Sequence, residues 1–312
     1  MLYWPIDNAF YVEGYGLDKF AAGCWGLQPV HQNRIGLILD RGIEPDLQLR
    51  QIQAAEAARA TLGLDITDYV ETDAPLGVEL RIAASGASWG TIQNPDSLLR
   101  AAEVLIKQAK AEAIAVVARF PEDIEFSALQ NYRAGKGVDP IAGAEAVISH
   151  LVVRTFQIPC AHAPAFLPSP LDPHLSPRSA AEELGYTFLP CVLVGLSRAP
   201  QFVSRFAGSQ VRRGALEQND QLPITNDQVD AVVVPADACG GSAVLSLSRR
   251  SLVIAVLDNQ TQMRVHPESL GIKALRVNSY LEALGVLVAH RAGISPSALL
   301  ANNSSLRLHN WK

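Results

Sequence analysis

The segment from Asp230 to Asn259 constrains the fold most, because within thirty residues it reads as buried strand, small-residue turn, helix and second buried strand. Its apolar runs, Ala231 to Val234 and Leu252 to Leu257, are short and rich in β-branched residues, the pattern of parallel strands covered on both faces. The loop between them ends at Cys239-Gly240-Gly241-Ser242. Glycines let the backbone approach a bound group, and the N–H groups opening a helix over about Ala243 to Arg249 would point at an anion there.

The same alternation recurs. Strands are expected over Ile35–Leu39, Val78–Ala83, Ile114–Ala118, Ile158–Ala163, Phe188–Val194 and Ala274–Val277. Helices are expected over Pro45–Leu62, from Asn94-Pro95 to about Ala111, over Pro140–Phe156, Pro177–Leu184 and Tyr280–Arg291, with Gly63 as a C-cap and Asn94 as an N-cap. A short helical turn is expected at Pro267–Leu270. The first 34 residues are aromatic and glycine-rich without sustained periodicity, an irregular segment that needs something to lie on. The fold class is therefore α/β, mostly parallel sheet or sheets with flanking helices, Rossmann-like. It forms either two lobes, divided between residues 138 and 139, or one domain.

Charged residues make up 18% of the 312 positions and the net charge is −5, with only six lysines and no basic run, which argues against a nucleic-acid partner. The four cysteines form no CxxC pair, so neither a zinc ribbon nor a disulfide framework is indicated. No apolar run approaches the roughly 20 residues of a membrane span, and no signal-peptide pattern opens the chain. The expectation is a cytoplasmic protein without a membrane partner, its homo-oligomeric state open.

Several residues carry candidate chemistry. Gly240, Gly241 and Ser242 form either an anion cradle or a structural turn, since GxGxxG is absent. Cys239, at a helix N-terminus, is either a nucleophile or an inert buried thiol. Arg133 and Lys136 sit in the most cationic loop and suit a carboxylate or phosphate, although the loop is not a Walker motif. His150, Cys160 and His162 lie within 13 residues and would give a mixed divalent-metal site, zinc or iron, with Asp139 or Glu145 adding oxygen. Without metal, His162 is the candidate general base, at a strand end before a long proline-rich loop. Asp258, Asn259 and Arg264 follow a buried strand, where open α/β sheets bind ligands.

Six phrases, LYWPIDNAFYVEGYGLDKFA, SGASWGTIQNPDSLL, AIAVVARFPED, GVDPIAGAEAVISH, IPCAHAPAF and VIAVLDNQTQMRV, together resemble a family of uncharacterised proteins of cyanobacteria and plastid-bearing eukaryotes. The resemblance spans essentially the whole chain and implies a lineage but no mechanism. It also implies an additional N-terminal strand, glycine-rich turn and helix, so that one βα unit is expected to be missing here, with an exposed apolar groove beside Leu2 to Tyr15. Two functions stay open: an enzyme acting on a small anionic metabolite at the carboxyl ends of parallel strands, or a non-catalytic metabolite- or nucleotide-binding regulator.

Overall fold

The computed structural model describes residues 9–84, 86–122, 131–132, 138–167, 173–174, 188–204, 222–261 and 263–299. Its centre is a four-stranded parallel sheet of β2 (Ile35–Leu39), β3 (Ile66–Glu71), β6 (Ala113–Arg119) and β7 (Cys160–Ala165), in the order β3-β2-β6-β7. Every residue of β2 is buried, as are Ala113 to Ala118 of β6, which is why both read as unbroken apolar runs.

Helices cover both faces. On one, Ile38, Ile114, Val116 and Cys160 pack against α3 (Pro95–Lys107) and α4 (Ala142–Phe156). On the other, Leu37, Leu39, Ala115, Val117 and Ala163 pack against α2 (Pro45–Leu62) and α5 (Phe188–Ser197). Gly63 ends α2 with φ +66, the left-handed C-cap that glycine adopts without steric cost. Asn94 does not cap α3 through its side chain, which donates to the Pro75 carbonyl instead.

A second parallel sheet, β9 (Ala231–Pro235), β10 (Leu252–Val256) and β11 (Ala274–Val277), has the order β11-β10-β9. It carries α6 (Ser242–Leu247) and α7 (Tyr280–Arg291). The chain is thus a mixed α/β protein with parallel sheets flanked by helices. Because β6 pairs with β7, the first sheet runs straight across the expected boundary at 138/139.

Other expectations change with tertiary context. Phe188 to Val194, read as a strand, belongs to helix α5, because an unbroken apolar run lying between α2 and the sheet shows no period in its sequence. Pro190 sits in its first turn, where no helical N–H is lost. Val78 to Ala83 does not feed the parallel sheet: β4 (Val78–Ile82) and β5 (Ser88–Ile92) make an antiparallel hairpin. The hairpin seats on α4 through two glycines. A Cβ on Gly90 would lie 2.5 Å from the Ala144 Cβ, and one on Gly143 would lie 2.3 Å from the Trp89 Cα.

The irregular opening contains α1 (Gly14–Ala21) and β1 (Trp25–Gln28), which pairs antiparallel with β8 (Gln201–Ser204). Residues 9–13 lie beside β7, where the Tyr11 hydroxyl donates to the Cys160 carbonyl at 3.1 Å. Residues 1–8 are outside the described chain, and with them most of the expected groove at Leu2 to Tyr15. The expected helix Pro177–Leu184 is outside it too.

Candidate functional site

Helix α4 and strand β7 bring together acid–base groups that are far apart in sequence. Glu145 and Ser149 are one helical turn apart on α4, and His162 stands on β7 facing them. The His162 Nδ1 lies 3.1 Å from the Ser149 Oγ, and its Nε2 lies 3.7 Å from the Glu145 Oε2. With the ring proton on Nε2, Nδ1 accepts from the serine hydroxyl and Nε2–H faces the carboxylate. The order carboxylate, imidazole, hydroxyl is that of a proton relay. Ser149 is buried, 2% exposed, so its hydroxyl faces the imidazole and not solvent. Part of the imidazole remains open, its side chain 22% exposed.

His162 is not at a strand end. It pairs with Val116 in the body of the sheet, three residues, or about 10 Å, before the carboxyl end of β7.

A second histidine–carboxylate pair adjoins the first. His150 Nδ1 contacts Glu13 Oε1, while Glu13 Oε2 accepts from the N–H groups of Tyr15 and Gly16 and so caps α1. Glu13 is 2% exposed. Its hydrogen bond and charge raise the His150 pKa. Burial, followed by the neighbouring Cys160, Glu13 and Glu145, pushes the Tyr11 phenol well above its ordinary range.

The His150 shift carries a prediction. A histidine whose folded pKa exceeds its unfolded value stabilises the fold fully below the unfolded pKa of about 6.5, and that contribution fades as pH rises through the folded pKa. Urea midpoints measured from pH 5 to pH 9 should fall on the alkaline side, and His150→Gln should flatten the slope. Because the imidazole is 42% exposed, the effect is at most about 1 kcal/mol after solvent screening.

The metal expectation is corrected. His150 is engaged by Glu13 and His162 by Ser149, while the Cys160 thiol is fully buried, its pKa raised by desolvation. Among the described residues no three His, Cys, Asp or Glu side chains form a group that could hold a metal ion. Cys239 has the surroundings of the inert buried thiol. It is 0% exposed, its thiol points at the carbonyls of Pro235 and Ala236, and burial raises its pKa.

At the small sheet, Ser242 donates to the Asp18 carboxylate at 2.6 Å, so an internal carboxylate from α1 lies where an external anion was expected. Gly240 and Gly241 are exposed beside it. Asp258 and Asn259 are exposed after β10, the latter donating to the Tyr280 hydroxyl at 2.6 Å. Asp237 folds this loop back, accepting from the Thr261 N–H and hydroxyl. Arg264 is exposed, with φ +54, a left-handed conformation uncommon outside glycine. Arg133 and Lys136 lie outside the described residues.

Strand order exposes a position that no motif marks. From β2 the chain moves to β3 on one side and returns to β6 on the other, so the switch point of the sheet lies between β2 and β6. Their carboxyl ends are tied together there. Asp40, 0% exposed, accepts at Oδ1 from the Gly42 and Leu76 N–H groups and at Oδ2 from the Arg119 N–H, at 2.8–3.0 Å. The Arg119 guanidinium grips Glu44 with two nitrogens and reaches Glu122 with a third. This pairing lowers the Glu44 pKa and raises that of Arg119. The available signal was a charged residue directly after each of two fully apolar runs, but only sheet order makes them neighbours. By contrast, β9, β10 and β11 follow in sequence without a switch point.

Comparison with known proteins places these features in a lineage. The family model described as "Protein of unknown function (DUF3326)" matches residues 1–300. A protein of Synechococcus sp. named an uncharacterized lipoprotein is 57% identical over 299 residues, covering 96% of this chain and 80% of that protein. No solved structure matches the chain. The lipoprotein name of so similar a relative overturns the expected cytoplasmic location. Among the described residues no helix is long and apolar enough to cross a membrane.

Proposed function

The chain belongs to the DUF3326 family, a family of unknown function, and from that premise we propose that it is an enzyme that moves a proton on a small anionic metabolite, with His162 as the transferring group. The observation that carries this reading is the placement of His162 between Ser149 and Glu145. Ser149, 3.1 Å from Nδ1, holds the ring in place. The open part of the imidazole is where a polar substrate atom would dock, and the Glu145 carboxylate, 3.7 Å from Nε2, would stabilise the ring electrostatically once it takes up a proton. Arg133 and Lys136, in the connection that leads from β6 into α4, are the cations that would hold the anion.

Incubation with organic acids and sugar phosphates in D2O, read by mass spectrometry, tests this. The enzyme should introduce deuterium into at least one compound, and His162→Asn should slow that exchange at least ~100-fold while the fold and its melting temperature are kept. Exchange unaffected by His162→Asn would sink the assignment. Asp258, Asn259 and Arg264 at the carboxyl end of β10 favour a second reading, binding without chemistry. Ligand-induced thermal stabilisation lost on Arg264→Ala, with no exchange into any compound, would select it.

A further inference from the structure

Helix α7 buries one face and leaves the other bare. Inward, Ala283, Val286 and Leu287 pack on Ile254, Val256 and Val277. Outward, Leu281, Leu284 and Val288 are 77%, 56% and 62% exposed, spaced i, i+3 and i+7 as one apolar stripe. Gly285 falls within it, and a Cβ there would meet nothing within 4 Å. The sheet beneath is open as well, with Val233 of the edge strand β9 37% exposed, whereas parallel sheets are normally covered on both faces.

We infer that this stripe is a self-association surface, on which α7 of one copy of the chain packs antiparallel against α7 of a second copy about a two-fold axis at Leu284 and Gly285. The stripe is self-complementary in that arrangement: Leu281 of one copy meets Val288 of the other, and Gly285 lets the two backbones approach. Charge agrees with it. Glu282 lies in the first turn of α7 and His290 and Arg291 in its last, so antiparallel pairing sets the acidic end of each helix beside the basic end of its mate. Residues 300–312, which follow α7 in the sequence, contain no acidic residue to answer Arg291. A lipid surface is disfavoured because membrane-surface helices carry lysine and arginine along the polar face, and α7 has no lysine and a single arginine at its end.

Sedimentation of the full chain over a range of concentrations should show a monomer–dimer equilibrium with a Kd of about 1–100 μM. Leu284→Glu or Val288→Glu, both exposed positions, should weaken it at least ~10-fold without changing the melting temperature of the monomer. Mild oxidation should cross-link Gly285→Cys to itself, and Leu281→Cys to Val288→Cys in a mixture, beyond any background from native cysteines. A monomer at every concentration overturns the proposal, as does a dimer indifferent to both glutamates. Self-cross-linking of Leu281→Cys alone would show parallel packing and overturn the geometry. The surface would belong to lipid if a monomer sedimented with phosphatidylethanolamine–phosphatidylglycerol vesicles and Leu284→Glu abolished it. It would belong to the tail if deleting residues 300–312 converted a monomer into a dimer.

Discussion

Replacing Asp40 by alanine is expected to destabilise the protein by about 3–6 kcal/mol, taking ~1–2 kcal/mol for each of the three N–H groups left without an acceptor. The carboxylate serves three backbone donors from three separate elements: the turn after β2, the segment before β4 and the end of β6. At a slope of about 3 kcal/mol per M in urea, the midpoint should fall by at least about 1 M. Asp40→Asn should be milder. One amide oxygen can still accept from Gly42 and Leu76, but the amide nitrogen would oppose the Arg119 N–H, and the cost should be about 1–2 kcal/mol. Equal midpoints for wild type and Asp40→Ala would show that this carboxylate does not hold the switch point together.

Gly143→Ala tests how helix α4 is held. In an open helix, alanine for glycine gains up to about 1 kcal/mol. At Gly143 the new methyl would lie 2.3 Å from the Trp89 Cα and 2.5 Å from the Ser88 carbonyl oxygen, backbone atoms that no rotamer change can remove. The hairpin must lift from α4, and overpacking of this kind costs about 1–3 kcal/mol or more. Gly195→Ala in α5 is the control, because its Cβ would sit at an ordinary 3.6 Å from the Tyr11 side chain. The urea midpoint should fall for Gly143→Ala and hold or rise for Gly195→Ala. Since α4 also carries Glu145 and Ser149, the His162 ring resonances should move in the first variant and stay in the second.

The sequence makes most of the parallel framework legible because its signals are local. Ile35–Leu39, Pro45–Leu62, Ala274–Val277 and Tyr280–Arg291 are readable residue for residue, since the strands are short, mostly apolar runs bounded by polar residues and the helices carry Gly63 and Ser279 as caps. Misreadings arose where neighbours rather than period decide. Phe188 to Val194 is apolar on all sides and became α5, and Ile66–Glu71, half exposed at a sheet edge, gave no pattern of its own yet forms β3. Of the candidate site, His162 is visible in the sequence as a histidine beside a long proline-rich loop, although its place in the body of β7 is not.

Its partners were not visible. Ser149 reads as an ordinary residue of a mostly apolar helix until α4 is laid on β7, Glu145 stands out in the sequence only as an alternative metal ligand, and Glu13 reads as part of an irregular opening until α1 docks beside His150. Sequence by itself determined the α/β class and the identity of most strands and helices, because burial and chain reversal leave marks within a few residues. The tertiary structure alone decided strand order, the Asp40–Arg119 tie across the switch point and the approach of Ser149 and Glu145 to His162. Those depend on contacts between residues dozens of positions apart, and pairing free energy of that kind leaves no periodic trace in either partner.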